Sequence, residues 1–174
     1  QETHILSQSK SDRSPVTIAD YAVQAYVAQA ILQNFPSDLL IGEESGDTLL
    51  QDIHILDGVT AQIQSLLPSA TPQQICNWID RGNTQTSSNA RFWVIDPVDG
   101  TKGFLRRMQY VTALALIVDS LVVLSVLGCP QLTLHGYTGG LAYAVLGQGA
   151  FWQPFADPTQ RFPLPISPQT NLSL

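Results

Sequence analysis

The chain has 174 residues, 44% of them hydrophobic and 13% charged. That supports one domain with a substantial core and excludes a disordered chain; so few charges also suggest that part of the surface is covered. With 8 Lys and Arg against 14 Asp and Glu, the net charge of -6 excludes the basic face that a nucleic-acid polymer needs. A small anionic substrate stays open if metal ions neutralise its site.

In chain order, residues 1–17 are polar and end in Ser14-Pro15-Val16-Thr17, an extended approach, because proline disfavours helix in the residue before it. Gln1-Glu2-Thr3-His4 lacks an initiator methionine and carries no secretory signal, which suggests a trimmed chain or a fragment. From Ile18 the spacing of Ile18, Ala22, Val23, Tyr26, Val27, Ala30 and Ile31 predicts a helix with these residues on its apolar face. Thr17 caps it and Pro36 lies just past its end, so Asp20 falls in the first turn, where a carboxylate suits the helix dipole.

Residues 39–41 read as a short strand, followed by the loop Gly42-Glu43-Glu44-Ser45-Gly46. Residues 47–67 read as weakly helical, with Gly58 as a break. Thr71-Pro72 is a cap followed by proline at the first helical position, and predicts a helix to about Asp80. Residues 82–90 are a polar loop, and residues 91–95 a strand that enters an acidic loop. After Gly103 the pattern is β. Residues 110–118 and 121–127 form a hairpin around Asp119-Ser120, which excludes a membrane span for residues 111–127. Residues 141–146 and 150–152 form another around Gly147-Gln148-Gly149. Residues 162–174 resemble an interrupted strand. Cys76 and Cys129 match no metal-ligand spacing and read as small apolar core residues in a reducing, cytoplasmic compartment.

The segment richest in chemistry is Asp96-Pro97-Val98-Asp99-Gly100-Thr101. Two like charges beside a buried strand are costly, and a divalent cation is the simplest compensation. Glu43-Glu44 follows another strand, and Asp20 starts a helix. Two-metal phosphatases need carboxylates from separate elements converging on ions about 3.5–4 Å apart, and Mg²⁺ takes oxygen ligands. Pro97 stiffens the turn so that Asp96 and Asp99 can serve one site. Gly100 lets the backbone approach a phosphate, and the Thr101 hydroxyl is placed to bond an attacking water. Taken singly, each acidic pair is more often a solvated turn. Lys102 and Arg106 are candidate phosphate contacts, although such residues are more often solvated surface cations, and His4, His54 and His135 are isolated.

Gly42-Glu43-Glu44 and Asp96 to Thr101 resemble the Gly-Glu-Glu and Asp-Pro-[Ile/Val]-Asp-Gly-Thr motifs of the lithium-sensitive, Mg²⁺-dependent phosphatase superfamily that includes inositol monophosphatase. Residues 10–21 and Asp99-Gly100-Thr101-Lys102-Gly103-Phe104-Leu105-Arg106 are similar to its 3′(2′),5′-bisphosphate nucleotidase branch, fungal type. Inositol monophosphatases usually read Thr-Asn-Phe at this point. The resemblance covers about residues 10–152 and implies an α+β fold, with helices packed on a mostly antiparallel sheet. It implies a first Mg²⁺ on Glu43, Asp96 and the Val98 carbonyl, and a second on Asp96 and Asp99. Asp20 and Thr101 would orient and deprotonate the water, and the Gly100 and Thr101 backbone amides would receive the phosphate. The implied reaction converts 3′-phosphoadenosine 5′-phosphate and water to AMP and phosphate, with the sulfated analogue as second substrate. The implied partner is this small nucleotide, with no nucleic-acid polymer and no membrane.

The resemblance is incomplete. The family's C-terminal domain carries a Trp-Asp motif whose aspartate completes the second metal site, whereas Trp78, Trp93 and Trp152 are followed here by Ile, Val and Gln. The family's first helix is missing or shortened, and Arg107-Met108 departs from the branch. The expectation is a metal-binding domain over residues 1–160 and, over residues 161–174, a lead-in to a missing C-terminal domain that is the packing partner. Such a chain alone would have little activity. Two alternatives stay open: an inositol phosphate phosphatase of the same fold, and a non-catalytic remnant that serves in binding.

Overall fold

The computed structural model describes residues 7–9, 15–83 and 91–165, with the backbone alone for 7–9 and 15–17. Strands β1 (Ser7–Ser9) and β2 (Pro15–Thr17) pair antiparallel and lead into helix α1 (Ile18–Asn34). Residues 10–14, which carry the start of the nucleotidase resemblance, lie outside the described residues, as do His4, residues 84–90 and residues 166–174.

Helix α1 corrects one expectation. Its buried face is Asp20, Tyr21, Gln24, Ala25, Ala28 and Ile31. Of the predicted apolar residues, Ile31 is buried, and Ile18, Ala22, Val23 and Val27 are half-buried, packed on the core while also lining a groove of about 620 Å³ beside the next long helix; Tyr26 is exposed. The helix is apolar nearly all round, so hydrophobic spacing alone could not choose its inner face. The polar pair Asp20 and Gln24, one turn apart, goes inward because partners wait there.

Strand β3 (Leu39–Ile41) is followed by helices α2 (Gly46–Leu49) and α3 (Ile53–Gln64). The helical stretch breaks at residues 50–52 and not at Gly58, which lies inside α3. Asp52 makes the new start by accepting the backbone N–H groups of His54 and Ile55. Gly58 serves close packing, since a Cβ there would collide with Ile18 Cδ1. Helix α4 (Pro72–Asp80) begins as predicted, with a reciprocal capping box between Thr71 and Gln74.

Strand β4 (Arg91–Asp99) runs through the acidic segment instead of ending before it. A short helix, α5 (Thr101–Leu105), then precedes β5 (Val111–Val118), β6 (Leu121–Leu134), β7 (Tyr137–Val145), β8 (Gly149–Pro154) and β9 (Phe162–Leu164). Helix α5 was not foreseen. Strand β6 extends past the predicted Leu127, and a turn at His135-Gly136, both with positive φ, joins it to β7. The predicted hairpin turn also holds, with Asp119 and Ser120 at positive φ.

The seven strands β3 to β9 form one sheet in chain order, parallel between β3 and β4 and antiparallel elsewhere. The result is the expected α+β architecture. One core cluster joins α1, α3 and α4 around Tyr21, Val59, Ile63, Ile75 and Ile79. A second seats α1 on the sheet through Ala28, Ile31, Leu40, Trp93, Ile95 and Leu116. Cys76 and Cys129 are free and buried, as read from the sequence. No helix among the described residues is long and apolar enough to cross a membrane.

Candidate metal and phosphate site

The parallel pairing of β3 and β4 sets the site. Ile41 stands opposite Val94. Two residues further along each chain come Glu43 and Asp96, so both carboxylates leave neighbouring strands at the same sheet end. This is a consequence of parallel register, in which equal offsets stay side by side.

A bulge brings in Asp99. Asp96 pairs with Ala113, and Asp99 pairs with Val111, so three steps on β4 match two on β5. In a regular strand, residues three apart point to opposite faces. The extra residue resets that alternation, and Asp96 and Asp99 share the face of Ala113 and Val111. Pro97 has no N–H to lose from the ladder, and its carbonyl accepts the Thr112 hydroxyl at 2.7 Å. Val98 is buried, Asp96 is half-buried and Asp99 is exposed.

Gly100 then takes φ +89, a conformation that strains residues bearing a Cβ, and serves as N-cap of α5. Thr101, the first helical residue, donates its hydroxyl to the Val98 carbonyl at 3.1 Å. Lys102 is exposed on the first turn and Arg106 is exposed at the helix end. Phe104 packs edge-on against Tyr110 at 4.9 Å between centroids, fixing α5 to the start of β5.

Asp20 is buried in the first turn of α1. Its neighbour Tyr21 hydrogen-bonds the Glu44 side chain. Burial chiefly, then the Glu44 charge and hydrogen bond, and then Asp20, push the Tyr21 hydroxyl far above its ordinary range. It therefore stays protonated and donates to the carboxylate. Gln24, one turn after Asp20, bonds the Glu44 backbone on both sides. Tyr21, Gln24 and Thr112 were missed in the sequence. A polar Gln24 amid buried apolar neighbours was a usable signal for one of them.

The structure thus brings Glu43, Asp96 and Asp99 to one sheet end and Thr101 to Val98, with Asp20 in the helix turn beside Glu44. Among the described residues, no three His, Cys, Asp or Glu side chains are gathered closely enough to hold one ion. The donor set itself is all oxygen, the chemistry that suits a hard divalent cation. Of the two described histidines, His54 is exposed on α3 and His135 stacks on Phe162 at 4.3 Å.

A family model for the inositol monophosphatase family matches residues 1–173. The chain belongs to the inositol monophosphatase family. Within the family, it is 39% identical to 3′(2′),5′-bisphosphate nucleotidase 1 of Candida albicans over 189 aligned residues, which cover 95% of this chain and 52% of that protein. It is 38% identical to the 3′(2′),5′-bisphosphate nucleotidase of Schizosaccharomyces pombe over 134 residues, covering 71% of this chain and 38% of that one. The chain spans about half the length, or less, of these curated relatives. In fold it matches a Thermotoga maritima IMPase with a TM-score of 0.54 and 21% identity, over 84% of this chain and 41% of that structure. A staphylococcal inositol monophosphatase-1 matches with a TM-score of 0.53 and 20% identity, over 85% and 41%.

Proposed function

We propose that this chain forms the metal-binding part of a Mg²⁺-dependent phosphomonoesterase. Its substrate is 3′-phosphoadenosine 5′-phosphate, cleaved at the 3′-phosphate to AMP and phosphate, with the sulfated analogue as second substrate. The observation that carries this reading is the shared position of Glu43, Asp96 and Asp99 at one sheet end, set by parallel register and a bulge. The relatives named as nucleotidases support the substrate. An IMPase/NADP phosphatase of related fold is described as complexed with Mg²⁺ and phosphate.

Glu43, Asp96 and the Val98 carbonyl would hold one ion, and Asp96 and Asp99 a second. When bound, such ions neutralise phosphate charge and make water a better nucleophile at neutral pH. Asp20 and Thr101 orient the attacking water. Because the Thr101 proton is engaged by Val98, its oxygen lone pairs face the water as acceptors. The Gly100 and Thr101 amides donate to phosphate oxygens, and Lys102 supplies a positive charge at the rim. As the water oxygen bonds to phosphorus its O–H bond breaks and the proton passes to Asp20; the bond to the ribose 3′ oxygen breaks, and that oxygen takes up a proton to leave as the hydroxyl.

Residues 1–160 act as the metal-binding unit, and residues 161–174, beginning with β9 at the sheet edge, lead towards a second domain. The 174 residues hold no Trp-Asp step, so within this chain a second ion would have only Asp96 and Asp99 as carboxylates, and the chain alone would turn over slowly. Exposed Leu121, Val122, Leu127 and Leu146 offer apolar surface to a packing partner. Two free buried cysteines support a reducing, cytoplasmic setting.

The test is substrate preference. The chain is joined to the C-terminal half of the C. albicans relative, and phosphate release is compared between 3′-phosphoadenosine 5′-phosphate and inositol 1-phosphate. Preference for the nucleotide supports the reading, and preference for the inositol ester overturns it.

A further inference from the structure

We infer that Gln24 is a positioning residue that sets the backbone of the Glu43–Glu44 loop for metal binding; this inference rests on the metal site proposed above. Gln24 is fully buried on the inner face of α1. Its Oε1 accepts the Glu44 N–H at 2.9 Å, and its Nε2 donates to the Glu44 carbonyl at 2.9 Å and to the Ile79 carbonyl at 3.0 Å. The amide orientation follows from these partners, since only nitrogen can serve two carbonyls and only oxygen can serve an N–H.

The consequence is local and specific. The Glu44 N–H belongs to the peptide that joins Glu43 to Glu44, so Gln24 fixes that peptide plane. Its second bond fixes the next plane. The loop has left the sheet at this point, because β3 ends at Ile41. A side-chain amide therefore supplies the pairing that a neighbouring strand would otherwise give. The Tyr21 bond to the Glu44 carboxylate holds the same residue from three positions earlier in α1.

The surroundings are shaped to this amide. A Cβ on Gly42 would lie 2.5 Å from Gln24 Oε1 and 2.6 Å from its amide carbon. A Cβ on Gly82 would lie 2.8 Å from Gln24 Nε2 and 3.1 Å from the Gly42 nitrogen. The Gly42 N–H donates to the Gly82 carbonyl at 3.0 Å, closing the cradle. Two residues without side chains thus enclose one amide that grips the loop bearing Glu43. The glycine of the Gly-Glu-Glu motif is explained here by close approach.

The experiment measures Mn²⁺ binding to the 174-residue chain by the loss of the free-ion EPR signal. It compares wild type, Gln24→Glu, Gln24→Met, Gly42→Ala and the core control Val59→Ala, each checked for folding by circular dichroism. Gln24→Glu keeps the acceptor and loses both donors. Gly42→Ala pushes on the amide from outside and leaves Gln24 itself intact. The expected result is Mn²⁺ affinity lowered about tenfold or more in each folded Gln24 or Gly42 variant. Val59→Ala should lose thermal stability and keep wild-type affinity. Folded variants that bind Mn²⁺ as the wild type does, or that lose no more affinity than Val59→Ala, overturn the positioning role and leave the metal site standing. A wild-type chain that binds no Mn²⁺ overturns the metal site, and the inference with it.

Discussion

The Thr101 hydroxyl donates to the Val98 carbonyl at 3.1 Å, across the turn that converts β4 into α5. This bond uses the only proton of the side chain and leaves its lone pairs as acceptors. Thr101→Val removes those lone pairs at nearly constant volume, and Thr101→Ser keeps them. In the chain joined to the C. albicans C-terminal half, Thr101→Val should lower kcat by about a hundredfold, the scale on which misplacing a reacting group slows a reaction. Thr101→Ser should retain most activity. Steady-state phosphate release checks both, and equal activity in the valine variant would remove Thr101 from the reaction.

Asp38 ties β3 to β4 away from the site. It accepts Arg91 Nε at 2.8 Å and the Trp93 indole N–H at 2.9 Å. Arg91 is nearly half exposed, so that ion pair contributes little. Trp93 is buried, and an orphaned indole N–H costs about 1–3 kcal/mol. Asp38→Ala should therefore destabilise by about that amount, and Asp38→Asn, which keeps an acceptor oxygen, by less. Urea unfolding measures the difference.

Stability should fall at alkaline pH. Burial chiefly raises the thiols of Cys76 and Cys129, with the Asp80 charge adding at Cys76, and burial likewise raises Tyr21. Folded values above unfolded ones mean that the folded state holds these protons longer. The stabilisation is complete below the unfolded thiol value of about 8.5 and is lost as pH rises through the folded values; Tyr21 adds its share above about 10. Urea midpoints should be level from these groups between about pH 7 and 8 and then decline. The double variant Cys76→Ala, Cys129→Ala should decline less between about pH 8.5 and 10. A stability that increases over that interval would contradict this.

Local signals were legible in the sequence and distant pairings were not. Thr71-Pro72 announced α4 because capping is settled within four residues. The Asp119-Ser120 turn and the burial of both cysteines were readable for similar reasons. The inner face of α1 was legible only in part: Ile31 is buried, but the inward turn of Gln24 was hidden because its partners are a backbone 20 and 55 residues away. Strand β4 continued past Ile95 because Val111 and Ala113 pair with its acidic end. Helix α5 was hidden by Gly103, whose place is set by the backbone of Gln109, where a Cβ would collide. At the site, the acidic motifs were visible as text. Their common sheet end followed only from the parallel register of β3 and β4.

The most direct test of the nucleotidase assignment is Mg²⁺-dependent phosphate release from 3′-phosphoadenosine 5′-phosphate. It compares the 174-residue chain alone, the chain joined to the C. albicans C-terminal half, and the joined protein carrying Asp96→Asn. The joined protein should release phosphate with Mg²⁺ and stop with chelator, the Asp96→Asn form should be nearly inactive, and the chain alone should release little. A folded joined protein that releases no phosphate with Mg²⁺, or one that works equally well with Asp96→Asn, would contradict the assignment.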